Sequence, residues 1–200
     1  MPRREDRNER LIEKIGVTGR YAQAMRDHPR WLYIAEVLSD EATTDAAVPI
    51  GHGVNCSRPS TIMRMLALLK PEGRVLEVGT GCGWQTAMLS SMCDQVFSIE
   101  LIPELAARAA RDCSIPGVTI KHGDGNLGWP EAAPFDRIIV CASAPEVPPA
   151  LFDQLKPGGL MVIPIRNGAQ DLCTVRKLMS GEPDITVIEP SGFVWMAAPG

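Results

Sequence analysis

The sequence predicts an α/β fold, a doubly wound, mostly parallel sheet with a small N-terminal helical cap. Three observations carry this reading. From Gly73 onward, short apolar runs alternate with amphipathic segments of helical period. The first of these runs, RVLEV from Arg74 to Val78, enters a glycine-rich turn at once, with Gly79, Gly81 and Gly83 at every second position. The next run, QVFSIE, closes on an acid, Glu100, roughly 20 residues past the glycines. Alternation of this kind implies right-handed βαβ units and a parallel sheet covered on both faces.

In chain order, residues 5–15 are charged, and Leu11, Ile12 and Ile15 form a narrow apolar stripe. Residues 18–27 predict a second short helix that ends before His28-Pro29. Together they make a cap with too few apolar residues to fold alone. Residues 40–56 read as loop, containing Pro49, Gly51 and Gly53. Pro59 and the apolar residues from Ile62 to Leu69 predict a helix ending near Lys70-Pro71. VLEVG, VFSIE, VTIKH, FDRIIVCA and GLMVIPI then read as strands. Between them WQTAMLSSM, PELAARAARDC and PPALFDQL read as helices, and LCTVRKL, ITVIEP and FVWMA follow as further strands. One domain is expected over residues 1–200, with a cap and substrate loop at 1–56 and an α/β core at 57–200.

Composition narrows the function. A chain of 200 residues with 45% hydrophobic and 22% charged residues can bury one sizeable core. A net charge of −4 argues against a nucleic-acid partner, which would call for a basic stripe. No apolar run approaches the roughly 18 residues of a membrane span. MPRREDRNER lacks the apolar region of a secretion signal, so a cytoplasmic location is expected. The six cysteines form no C-x-x-C, and the three histidines sit near no cysteine pair. Neither a metal site nor a disulfide framework is expected, and reduced thiols in apolar surroundings are. Cys56 and Cys82 are set apart, because both lie in loops assigned to the site.

Glycines in the turn serve two needs: they tolerate positive φ, and they let backbone N–H groups approach a ligand. The following helix N-terminus suits a carboxylate or another polar head group. The spacing is neither G-x-G-x-x-G nor that of a phosphate loop, since no G-K-[ST] follows. Glu100 is placed to accept hydrogen bonds from ribose hydroxyls, and the combination points to a nucleoside cofactor. The alternative is an ordinary βα turn followed by a surface acid. Asp124, between two glycines, reads equally as a ligand contact or a β-turn residue. Ser57, two residues before Pro59, reads as a site residue or as a helix cap. His52 and His122 read as loop or packing residues, and Trp84, Trp129 and Trp195 as core or pocket wall.

With these residues in view, the chain resembles the protein-L-isoaspartate O-methyltransferase family, within the S-adenosylmethionine-dependent, Rossmann-like methyltransferases. The similarity covers roughly residues 20–165. VLEVGTGCGWQTAML resembles the family's cofactor loop and VFSIE its ribose-acid strand. The segment from Gly123 to Pro130, together with APEVP from Ala144 to Pro148, is the more specific signature. PIGHGVNCSRPS falls where the family has a proline-glycine loop and an I-S-Q-P-like stretch.

The resemblance implies S-adenosyl-L-methionine as cofactor and isoaspartyl-containing proteins or peptides as substrate, acted on by a monomer. Gly79, Thr80, Gly81 and Gly83 would line the methionine part of the cofactor, with Glu77 ordering their loop. Glu100 would bind the ribose, Leu101 would lie beside the adenosine, and Asp124 and Gly125 would meet the adenine. Ser57 would be the active-site residue next to the substrate carboxylate, with Pro59 and Ser60 shaping the same wall. An isoaspartyl α-carboxylate is already ionised at pH 7, so alignment matters and a strong base does not. The methyl ester would then cyclise to a succinimide, and hydrolysis would return part of it to aspartate.

The chain departs from the family pattern at Cys56, Arg58, Cys82 and Cys141, and at Ala197, where a hydroxyl would contact substrate or cofactor. Arg58 puts a cation beside the proposed carboxylate site. Two other readings stand beside repair methylation: a relative that methylates one aspartate of a dedicated peptide, and a cofactor-binding module without turnover.

Overall fold

The computed structural model describes residues 3–196. Helices α1 (Arg4–Ile15) and α2 (Gly19–Asp27) open the chain. Asn8 Nδ2 donates to the Met25 carbonyl at 3.1 Å and joins the two. Leu11, Ile12 and Met25 belong to the same apolar cluster as Trp84 and Met88 further along, so the cap shares the core of the sheet.

The stretch 40–56, read as loop, ends in a small hairpin. Strands β1 (Val48–Gly51) and β2 (Val54–Cys56) pair antiparallel and stand apart from the main sheet. Val48 and Ile50 are buried while Pro49 and Gly51 face out, and His52 and Gly53 make the turn at φ 53° and 74°. Four residues of alternation are too few to stand out as a strand period, which is why the sequence does not announce it.

The main body follows as α3 (Pro59–Leu69), β3 (Arg74–Val78), α4 (Trp84–Ser90), β4 (Gln95–Glu100), α5 (Pro103–Asp112) and β5 (Val118–His122). It continues with β6 (Phe135–Val140), α6 (Pro149–Asp153), β7 (Leu155–Asn167), β8 (Ala169–Lys177) and β9 (Pro183–Pro190). The seven strands run in the order β5-β4-β3-β6-β7-β8-β9. β5, β4, β3, β6 and β7 are parallel neighbours, while β8 and β9 return antiparallel. Only Gly168 separates β7 from β8, and so short a connection cannot make the crossover that a parallel pair needs.

The chain leaves β3 toward β4 and β5, then returns to β6 on the other side of β3. This reversal opens a crevice at the carboxyl ends of the strands. Strand alternation sends Val75 into the cluster with Leu66, Leu69 and Met88, and Leu76 and Val78 into the one with Ile138, Leu151 and Met161. Each such side chain contributes about 1.5–3 kcal/mol by burial.

One strand expectation fails. The described part of FVWMA, residues 193–196, forms no strand and makes a single bridge, Trp195 to Ser143. Its backbone groups are taken elsewhere. Gln170 Nε2 donates to the Phe193 carbonyl at 3.0 Å, and Ser143 exchanges bonds with Val194 and Met196 at 2.7 and 2.8 Å. Ala197 lies outside the described residues. Among the described residues no helix is long and apolar enough to cross a membrane.

Candidate active site

The loop after β3 is bent by its glycines. Gly79, Gly81 and Gly83 have φ of 95°, 57° and 86°, a region that other residues enter at a cost. Space is short as well: a Cβ on Gly83 would lie 2.5 Å from Cys113 Sγ, and one on Gly79 would lie 3.2 Å from Cys141 Cβ. The loop is pinned through its backbone, the Gly79 N–H donating to the Ile99 carbonyl at 2.8 Å.

Two carboxylates brace this loop from different sides. Glu77 is wholly buried in β3. Its Oε1 accepts from Gln85 Nε2 at 2.8 Å, and its Oε2 accepts from Ser98 Oγ at 2.6 Å and from the Thr86 hydroxyl. Thr80 joins the network through Ser98, 2.5 Å away. Burial, the largest influence, pushes the Glu77 carboxyl up to about 7; the three donors oppose the rise and the charge of Glu100 adds to it. Glu100, at the end of β4, is also buried, yet it faces the crevice. Its two oxygens accept from the Gly81 and Ile102 N–H groups at 2.8 and 3.0 Å. Each oxygen keeps a lone pair for a further donor.

Ser57, Gly79, Thr80, Gly81, Glu100, Leu101, Asp124 and Gly125 all line one cavity at the ends of β3, β4, β5 and β6. Glu77 and Gly83 stand behind its wall. Leu101 is 47% exposed, so a large apolar side chain is left at the mouth. Gly125 closes tightly on β3, where an added Cβ would lie 2.3 Å from Val78 Cγ1. Asp124 Oδ1 accepts from the Asn126 backbone and side-chain amides at 2.9 and 2.8 Å, so it shapes a turn as well as facing the cavity.

Ser57 does not cap α3. Asp45 does, its Oδ1 accepting from the Ser60 N–H at 2.9 Å, and the Arg58 side chain pairs with the same carboxylate at 3.3 Å. Burial works against ionisation of Asp45, but the Ser60 and Arg58 hydrogen bonds win and hold it below the usual range. Arg58 therefore lies along a neighbouring groove and not in the cavity. The Ser57 carbonyl accepts from Arg30 at 2.9 Å, while no described residue hydrogen-bonds its hydroxyl.

Trp195 lines the wall, as a core-or-pocket reading allows, but other wall residues carry no sequence signal. Ile50 comes from the unexpected hairpin, and Phe193, Val194 and Met196 from the segment read as a strand. Gln85 links Glu77 to Cys141, donating to its sulfur at 3.0 Å, a relation that only the packing of α4 on β3 creates. Among the described residues no group of three or more His, Cys, Asp or Glu side chains is placed to hold a metal ion.

The family model described as protein-L-isoaspartate(D-aspartate) O-methyltransferase matches residues 5–198. The chain belongs to this family. A protein-L-isoaspartate O-methyltransferase 1 of Anaeromyxobacter sp. (strain Fw109-5) is 47% identical over 180 residues, covering 86% of this chain and 85% of that one. The protein-L-isoaspartate O-methyltransferase of Myxococcus xanthus (strain DK1622) is 46% identical over 173 residues, 82% of each chain. A solved structure described as a protein-L-isoaspartate O-methyltransferase from Plasmodium falciparum, in complex with S-adenosyl-L-homocysteine, superposes with a TM-score of 0.83. It is 26% identical, and the match covers 98% of this chain and 99% of that one. Membership in the protein-L-isoaspartate O-methyltransferase family agrees with the cavity, whose glycine loop, buried acid and apolar mouth suit a nucleoside with a polar amino-acid tail.

Proposed function

We propose that this chain transfers the methyl group of S-adenosyl-L-methionine to the free α-carboxylate of L-isoaspartyl residues in proteins or peptides. The observation that carries this is that the Glu100-braced glycine loop and Ser57 line one cavity. The donor fits the residues present. Glu100 offers acceptor oxygens to ribose hydroxyls, Leu101 and Ile102 offer apolar surface to the base, and the glycine loop leaves room for the amino-acid tail. When bound, S-adenosyl-L-methionine supplies a methyl group on a positively charged sulfur.

Ser57 donates a hydrogen bond that orients the acceptor carboxylate, which is ionised at pH 7 without help from a base. Charge is neutralised as cation meets anion, so a wall that excludes water favours the transfer. Ile50, Trp84 and Phe193 supply that wall. Glu77 acts behind it, holding α4 and the loop through Gln85, Thr86 and Ser98. The methyl ester leaves as product, and its cyclisation to a succinimide and hydrolysis complete repair away from the protein. The segment 1–56 supplies acceptor-side wall through Ile50, Val54 and Cys56, and 57–200 supplies Ser57 and the donor side; the proposed working unit is a monomer.

Incubation with labelled cofactor and an isoaspartyl peptide, beside its aspartyl twin, tests this. Labelled methanol on base treatment of the isoaspartyl reaction alone is the expected result. Transfer confined to one aspartyl precursor peptide would assign the chain to peptide maturation instead, and tight cofactor binding without any transfer would make it a binding module.

A further inference from the structure

Arg30 is a guanidinium buried to 1% exposure, and no carboxylate among the described residues pairs with it. It donates to the carbonyls of Ala46, Cys56 and Ser57 at 2.9 to 3.0 Å and lies 5.4 Å from the Trp84 ring centre. Its Nε donates to Cys56 Sγ at 3.3 Å. A buried cation without a counter-charge is strongly disfavoured. Of the groups Arg30 bonds, the Cys56 thiol is the one able to turn negative. A second thiol, Cys82, sits in the glycine loop and packs in the same buried cluster as Cys56. Both sulfurs belong to walls of the same cavity.

We propose that Cys56 and Cys82 form a peroxide-reactive dithiol at the junction of the donor and acceptor walls, Cys56 as nucleophile and Cys82 as resolving thiol. The Cys56 thiolate attacks one oxygen of a hydroperoxide, the O–O bond breaks, and with one proton the products are a sulfenic acid and water, or an alcohol from an organic peroxide. Cys82 then attacks the sulfenic sulfur, an S–S bond forms, and water leaves with the Cys82 proton. The two cysteines lose two electrons and the peroxide gains them. The resulting disulfide ties the glycine loop to the end of β2, and a thiol reductant reverses it.

The environment of the other thiols supports the choice. The neighbouring Cys82 thiol is the largest influence on Cys56; with Arg30, whose Nε donates to the sulfur, it outweighs burial and brings the thiol down to about 7. Burial pushes Cys93 and Cys113 up to about 12 and raises Cys141 and Cys173 as well. Thiolate character governs reactivity toward peroxides and alkylating agents.

Cys93 gives the discriminating comparison, being more exposed than Cys56 but held as the thiol. If access ruled, Cys93 would react first; if the Arg30 pairing rules, Cys56 does. The full chain is treated with a small excess of hydrogen peroxide at neutral pH, the remaining thiols are blocked, and peptides are mapped by mass spectrometry without reduction. The expected first product is the peptide pair joined through Cys56 and Cys82, lost on adding dithiothreitol. The Cys82→Ser variant, folded by its thermal melt, should instead accumulate Cys56 sulfenic acid trapped by dimedone. Should that variant not fold, initial rates of iodoacetamide labelling in the unaltered chain decide, with Cys56 ahead of Cys93 by at least about tenfold. Oxidation or labelling of Cys93 before Cys56, or oxidation of Cys56 without linkage to Cys82, overturns the proposal.

Discussion

The carboxylate of Glu100 accepts the backbone N–H of Gly81 at 2.8 Å, so the last residue of β4 holds the middle of the loop that follows β3. The second oxygen accepts the Ile102 N–H and fixes the exit from β4. Glu100 is thus a cofactor contact by proposal and a brace of the cradle by observation. Glu100→Ala should weaken S-adenosyl-L-homocysteine binding by about 1–3 kcal/mol, with Glu100→Gln intermediate because it keeps one acceptor oxygen. Isothermal titration calorimetry checks this. Unaltered affinity in Glu100→Ala would remove Glu100 from the cofactor site.

Ser57 is held by its backbone and not by its hydroxyl, which leaves the hydroxyl for the acceptor. Ser57→Ala should therefore bind S-adenosyl-L-homocysteine within about twofold of the parent chain while kcat on an isoaspartyl peptide falls roughly tenfold, the worth of one hydrogen bond. Calorimetry and steady-state kinetics read the two quantities separately. A large loss of cofactor affinity would move Ser57 to the donor side.

Glu77 gives stability an unusual slope with pH. Its folded pKa of about 7 lies above the ordinary 4.5, so the folded state holds the proton more tightly than the unfolded chain. The contribution is full below 4.5 and is lost as pH rises through 7, on the order of 3 kcal/mol in all. His28 runs the other way: burial lowers its pKa, so its contribution is full above 6.5 and is lost as pH falls through the folded value. Because His28 is unchanged in Glu77→Gln, the difference between parent and variant isolates Glu77. Urea melts at pH 5, 6, 7 and 8 should show the parent losing ground to the variant as pH rises. A difference independent of pH would mean Glu77 is ionised throughout.

Gly125→Ala tests the cavity wall proposed to meet the adenine. Its Cβ would fall 2.3 Å from Val78 Cγ1 and 3.5 Å from Met196 Cε, so β3 or the loop must shift. The expected loss is about 1–3 kcal/mol of stability together with weaker S-adenosyl-L-homocysteine binding. Gly123→Ala is the control, since its Cβ would meet Ile99 and Lys121 at ordinary distances of 3.7 and 3.8 Å. Thermal melts and calorimetry on both variants should separate them, and equal behaviour would show the wall to be soft.

What could be read in the chain is what local physics writes there. Short apolar runs alternating with helical apolar spacing marked β3 through β7 and their helices, and glycines at alternate positions marked the turn. Glu100 was legible because an acid closing an apolar strand has few structural reasons to be there. The β1–β2 hairpin was not, because four residues do not make a period. The C-terminal segment has strand composition, but Gln170 and Ser143 had already taken its backbone bonds. From spacing Ser57 reads as a site residue or a helix cap, and the capping role falls away once Asp45 is seen to cap α3.

The amino-acid order by itself determined the βα succession, the glycine turn and the acid that follows, since each depends on residues a few positions apart. Only the tertiary structure decided which distant groups meet: Gln85 between Glu77 and Cys141, Arg30 against Cys56, and Phe193 over the cavity. Those meetings depend on sheet order and on the burial of charges against partners tens of residues away, and spacing along the chain records neither.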